Sequence, residues 1–198
     1  MSTSFDLLPT LVFAVVMLCW VAFAATLLLR KKIPSAPDRR RDSGSNLGLV
    51  LQCVSYAIVW LTHRPAFTPI VIANEVVAAG LGLTAVVAAV ASVWLIMAAV
   101  KTLGREWSIT ARVLEGHKLA TGGPYAYVRH PIYSGMLGML LATALAISNL
   151  VTLPIALVVF FVGTMIRVRS EEKLLREAFG NEFDDYASRV HAIIPALY

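Results

Sequence analysis

Apolar residues in this chain come in long blocks rather than at alternating positions. Five stretches, 7–29, 47–61, 70–100, 132–147 and 150–166, are almost free of charge. A helix needs about 20 apolar residues to cross the hydrocarbon of a bilayer, and 7–29 meets that requirement directly. The block 70–100 exceeds it and must tilt, kink or extend past the bilayer, whereas 47–61, 132–147 and 150–166 sit near the lower limit. A breaker-rich polar stretch, 30–46, and the turn Thr62-His63-Arg64-Pro65 punctuate the first half. Between the last two blocks only Ser148-Asn149 can turn, which predicts an antiparallel helical hairpin. Beyond 166 the pattern changes. Leu175, Phe179, Phe183, Tyr186 and Val190 recur every three or four residues against faces of Glu and Asp, with Gly180 as a break. The expected fold is all-α: a polytopic membrane bundle of about five transmembrane helices. An amphipathic C-terminal helix would lie on the membrane or pack beneath the bundle.

Composition excludes the main alternatives. The chain is 58% hydrophobic and 15% charged, against about 45–50% and 25% in soluble domains. That leaves no room for a water-soluble globule, a disordered chain or a disulfide-stapled module. Cys19 and Cys53 both lie in apolar blocks, so neither a disulfide framework nor a metal-ligand spacing is present. The net charge of +5 does not call for nucleic acid, because basic residues mark the cytoplasmic loops of membrane proteins. Sixteen of the seventeen Lys and Arg fall in 30–46, 101–131 and 167–198, and only Arg64 falls on the other side. Five spans with the N-terminus outside and the C-terminus cytoplasmic satisfy that asymmetry. The block 7–29 then reads as a signal anchor, since its basic residues follow it.

Gly80-Leu81-Gly82-Leu83-Thr84-Ala85 matches a dinucleotide fingerprint on paper. It lies inside an apolar helix with no preceding strand, so small residues for close helix packing are the better reading.

Two stretches are too polar for their surroundings. The first runs through 117–135 into the fourth apolar block. Pro131 suits the first turn of a helix, which sets Arg129 and His130 at its mouth beside the orphan N–H groups and the positive helix end. Such a place receives a carboxylate or a phosphate. The plainer reading is a positive-inside anchor with Tyr125, Tyr127 and Tyr133 as aromatic-belt residues. The second stretch is Arg167-Val168-Arg169-Ser170-Glu171-Glu172. Arg167 and Glu171 are four apart and share a helical face, suited to an anion and to a hydrogen-bond donor respectively. Its plainer reading is a surface ion pair of small energetic weight. The hairpin brings both stretches to one membrane face.

The combined pattern Gly-Pro-Tyr-x-x-x-Arg-His-Pro-x-Tyr-x-Gly (123–135), Arg-x-x-x-Glu-Glu (167–172) and Phe-Gly-x-x-Phe-x-x-Tyr (179–186) resembles the isoprenylcysteine carboxyl methyltransferases. These belong to a wider group of membrane methyltransferases that includes phospholipid methyltransferases. The resemblance covers about the last hundred residues, including Leu103-Gly104 and Trp107-Ser108; the first seventy match only as hydrophobic spans. It implies a cytoplasm-facing S-adenosylmethionine site, with a lipophilic small-molecule or prenylated substrate entering from the bilayer. On that basis 101–198 is the catalytic half of a single domain, and 1–100 holds the N-terminal membrane helices. Carried over by position, His117, Leu119, Ala120, Tyr125, Arg129, His130, Pro131, Ile132 and Glu171 would bind the cofactor. Arg167 would hold the acceptor carboxylate. Arg112 falls near a polar cofactor contact, but the loop lengths differ there. No metal is implied. The membrane would be the inner membrane of a bacterium or the endoplasmic reticulum of a eukaryote.

Three other readings stay open at this point. Membrane sterol and lipid reductases share an Arg-His-Pro-x-Tyr segment but use a nicotinamide dinucleotide phosphate. A phospholipid or other lipid amine is an alternative acceptor. A non-enzymatic scaffold would keep the charges for topology alone.

Overall fold

The computed structural model describes residues 7–28, 38–41, 44–65, 68, 74–104, 112–114, 118–149 and 151–194. Among the described residues six α-helices dominate: α1 (Leu7–Leu28), α2 (Ser45–Leu61), α3 (Glu75–Leu103), α4 (Pro131–Ile147), α5 (Leu153–Phe179) and α6 (Asn181–Arg189). α1, α3 and α5 are long and apolar enough to cross a membrane. α2 and α4 have 17 residues each, about 25 Å at the usual helical rise. Large apolar side chains such as Leu18, Val87, Trp94 and Val158 stay exposed on the outside of the bundle. A polar solvent would penalise such a surface and a lipid one would not.

Two departures from the pattern-based expectation have local causes. The third block begins at Glu75, because the Asn74 side chain accepts a hydrogen bond from the Val77 amide at 3.1 Å and caps α3; residues 70–73 lie outside the described ones. In addition, a two-stranded antiparallel ribbon pairs β1 (Asp38–Arg41) with β2 (Arg112–Leu114), tying the two basic loops together. Arg112 is thus placed on β2.

The expected hairpin is present as a connection but not as a packing unit. α4 and α5 are joined by a tight turn in which Thr152 donates to the Asn149 carbonyl at 3.1 Å. Beyond it they separate: α4 packs along α3, α5 packs along α2, and α1 packs along α3. Glycines decide these partners. A Cβ on Gly48 would meet the Gly163 carbonyl oxygen at 2.5 Å and the Arg167 Cγ at 2.6 Å, and one on Gly163 would meet the Gly48 oxygen at 2.7 Å. A Cβ on Gly135 would meet Ile96 at 2.5 Å and one on Gly138 would overlap the Ser92 hydroxyl. Helices in lipid associate where small residues let backbones approach. In the 80–85 run, only Gly82 makes such an approach, to Val12 of α1, while Gly80 faces open space.

Gly163→Ala therefore meets backbone that has no way to yield. Overpacking of this kind costs about 1–3 kcal/mol, and the expected result is a lower melting midpoint in detergent. An unchanged midpoint would show that the α2–α5 crossing is looser than this spacing.

At the end of the bundle away from the polar stretches, Arg64 fastens the α4–α5 turn. Its guanidinium donates to the carbonyls of Ser148, of Ala146 at 2.8 Å and of Leu145 at 3.3 Å. These are among the orphan acceptors at the end of α4.

Candidate active site

Four pieces of chain converge at the opposite end. The first is the 3₁₀ turn Gly123–Ala126 with the residues that lead into α4. Gly123 adopts φ +58°, and a Cβ there would lie 2.9 Å from the Thr102 hydroxyl, so a residue other than glycine would be strained as well as crowded. The second is the first turn of α4. Pro131, which lacks an N–H, occupies its start and is buried. The third is the polar continuation of α5 from Arg167 onward. Gly180, at φ +53°, ends that helix and starts α6. Phe183 and Tyr186 on α6 are buried, so the amphipathic helix packs under the bundle.

The fourth piece was not legible in the pattern. After α6, residues 190–194 run as a strap beside 128–130. Arg129 and His130 donate their amides to the carbonyls of His191 and Ala192, both at 2.8 Å. The Ser134 hydroxyl donates to the Ile193 carbonyl, and Ala192 and Ile193 pack with Tyr133 and Val168. The strap and α6 also receive the Arg129 guanidinium, which donates to the carbonyls of Ala187 at 3.0 Å and of Val190.

Within this frame the charged groups form one connected cluster. Arg129 donates through Nε to Glu172 Oε1 at 2.9 Å, and its Nη2 lies 2.9 Å from the same oxygen. His130 places Nε2 3.2 Å from Glu172 Oε1 and Nδ1 3.4 Å from Glu171 Oε2. Tyr133 stacks on the His130 ring at 5.7 Å and donates its hydroxyl to Glu171 Oε1. Arg167 donates through Nε to the Tyr133 hydroxyl at 2.7 Å, and its Nη2 lies 3.5 Å from Glu171 Oε1. The two stretches predicted to meet at one face do meet.

Burial distinguishes the members. The side chains of Arg167 and His130 are 5% and 6% exposed, whereas Glu171 keeps 26%. Glu171 is thus the acidic member with surface left for a further donor. Burial works against a charged His130, but hydrogen bonds and negative charge from Glu171 and Glu172 outweigh it and hold its pKa above the ordinary value. The cluster can therefore hold a zwitterion: carboxylate oxygens for an ammonium, and cationic donors for a carboxylate.

Not every expected residue enters the cluster. Tyr125 is buried in the 3₁₀ turn, and its carbonyl accepts the Tyr186 hydroxyl at 2.6 Å. Leu119 and Ala120 are half-buried ahead of Gly122, outside the ion pairs. Ile132 turns toward the apolar core shared by α1, α3 and α4. His117 lies outside the described residues. Conversely, Glu172, Tyr133 and the strap belong to the cluster. The paired Glu-Glu and the motif tyrosine were signals for the first two. Among the described residues, no group of His, Cys, Asp and Glu is arranged to hold a metal.

Comparison with known proteins bears on this region. A probable protein-S-isoprenylcysteine O-methyltransferase of Oryza sativa subsp. indica is 38% identical over 102 residues, which cover 50% of this chain and 53% of that protein. The protein-S-isoprenylcysteine O-methyltransferase B of Arabidopsis thaliana is 35% identical over 99 residues, 49% of this chain and 50% of its own. The cobalt-zinc-cadmium resistance protein CzcN of Cupriavidus metallidurans is 38% identical over 100 residues, 48% of this chain and 44% of its own. The chain spans about half the length of the curated relatives it matches. The family model described as phospholipid methyltransferase matches residues 80–182, more than half of the chain, and takes in Arg129, His130, Tyr133, Arg167, Glu171 and Glu172. With its long apolar helices and this match, the chain is an integral membrane protein that belongs to the phospholipid methyltransferase family.

Proposed function

We propose that this protein transfers a methyl group from S-adenosylmethionine to the carboxylate of a lipophilic acceptor of the isoprenylcysteine kind. The observation that carries this reading is the buried Arg167 guanidinium, held by Tyr133 within one helical turn of the partly open Glu171. A cation at that place suits an anionic acceptor and repels an amine, which favours carboxyl over phospholipid N-methylation. The names of the plant relatives agree with it.

The donor set fits the cofactor. Glu171 would accept from its ammonium, His130 and Arg129 would face its carboxylate, and the tyrosine faces would favour the sulfonium cation. When bound, S-adenosylmethionine supplies an electrophilic methyl: an acceptor oxygen bonds to that carbon, and the carbon–sulfur electron pair stays on sulfur. No proton moves, because a carboxylate with a reference pKa near 4 is already ionised at neutral pH. What remains for the protein is alignment and charge placement in a water-poor mouth. Arg167 would orient the acceptor, bidentately where both outer nitrogens reach it. The basic loops 30–46 and 101–131 would put this mouth on the cytoplasmic side.

Calorimetry on the detergent-purified protein with S-adenosylhomocysteine, and separately with the two nicotinamide dinucleotide phosphates, tests the cofactor. Binding of the sulfur compound alone is expected; binding of a nicotinamide alone would make the protein a reductase. Transfer of labelled methyl to N-acetyl-S-farnesylcysteine rather than to phosphatidylethanolamine then tests the acceptor.

A further inference from the structure

Among the described residues, Tyr133 is the one side chain that touches all three groups to which separate tasks fall. Its hydroxyl accepts from Arg167 Nε at 2.7 Å and donates to Glu171 Oε1, and its ring stacks on His130. The Arg167 Cζ also lies 5.4 Å from the ring centroid. Arg167 thus leans on the phenol through Nε, the nitrogen at the base of its fork. Holding the fork by its base fixes its plane, and Nη2 at its tip lies 3.5 Å from Glu171 Oε1. The ring is itself clamped: it is 6% exposed and packs with Val168, Ala192 and Ile193. The phenol has a single proton, and that proton is committed to Glu171. Any change in the position of Glu171 is therefore felt at the oxygen that holds Arg167.

We infer that the Tyr133 hydroxyl is a positioning residue that couples the two substrates, so that occupancy of Glu171 by the methyl donor sets Arg167 for the acceptor, and the reverse. This rests on the proposed roles of Glu171 and Arg167 and goes beyond them, because it assigns the link between the two ligands to the phenol that bonds both side chains, beside their own 3.5 Å contact. Coupling is reciprocal: the factor by which one ligand tightens the other is the same in both directions.

Tyr133→Phe removes the hydroxyl and keeps the stacked ring. Calorimetry with S-adenosylhomocysteine, with and without saturating N-acetyl-S-farnesylcysteine, reads the coupling. In the wild-type protein the acceptor is expected to tighten the cofactor product by about five- to tenfold, the lower part of the range for coupled sites. In Tyr133→Phe the factor falls to about one, while each ligand alone keeps an affinity within about threefold of wild type. A variant that retains the wild-type factor overturns the inference. So does one in which both affinities drop with their ratio unchanged, since that marks a merely structural residue. A wild-type protein that binds both ligands without coupling overturns the inference and leaves the proposed function standing; one that binds neither ligand overturns both. Should Tyr133→Phe melt below the assay temperature, Arg167→Lys reads the same quantity. It keeps the charge but has no second arm to span phenol and acceptor, so it should lose the coupling too.

Discussion

Arg167→Ala should abolish turnover while leaving S-adenosylhomocysteine binding nearly intact. The expected loss in kcat is about a hundredfold or more, the scale for removing a preorganised donor from a transition state. The cofactor dissociation constant should stay within about threefold, because the acidic end of the cluster survives the change. Glu171 would still hold His130 at 3.4 Å through Oε2 and would still accept from Tyr133, and Glu172 would keep Arg129 and His130. The Arg167 side chain is 5% exposed and its Cγ lies against Gly48 of α2, so its removal also opens a small space beside a close helix crossing. A melting scan in detergent separates that packing effect from the kinetic one. Arg167→Lys, with the charge but not the fork, should fall between alanine and wild type. Cofactor affinity lost in step with activity would mean that Arg167 serves the cofactor and that the acceptor is held elsewhere.

The membrane helices were legible because lipid leaves a simple trace: charge-free blocks of sufficient length. The partners of those helices were not. Which helix lies on which depends on Gly48 meeting Gly163 and on Gly135 and Gly138 meeting Ile96 and Ser92. One glycine looks like another until its neighbour is known. The ribbon at Asp38–Arg41 was unreadable for a different reason, since a run of charge carries no strand pattern. The strap was hidden by apparent order: the helical period reaches Val190, yet that residue ends α6 with extended backbone and the chain turns to pair with 128–130. The charged cluster was more legible than its frame. Arg129, His130, Arg167 and Glu171 stood out as charges next to apolar blocks, where an unpaired charge would be costly, and they do converge. Pro131 starts α4 and Ile132 packs against the core on its inner face.

Glu171→Gln should weaken cofactor binding by about 10- to 100-fold, the equivalent of one charge-assisted hydrogen bond. Turnover at saturating cofactor should suffer less, the inverse of the Arg167 pattern. His130→Ala should weaken the cofactor in the same direction, since it removes the cation between the two glutamates. The histidine adds a pH signature. Its pKa is raised in the folded protein, because the pairing with Glu171 and Glu172 outweighs a burial that by itself would lower it. A raised value means that the folded state holds the proton more tightly than the unfolded one. The stabilisation is then fully present below the unfolded value of about 6.5, and it is lost as pH rises through the folded value. The melting midpoint in detergent should therefore decline on the alkaline side of about 6.5, and cofactor affinity should decline with it. In His130→Ala that part of the decline should vanish. Unchanged cofactor affinity in both variants would move the donor site away from this cluster. An alkaline decline that persists without the imidazole would assign the pH dependence to another group.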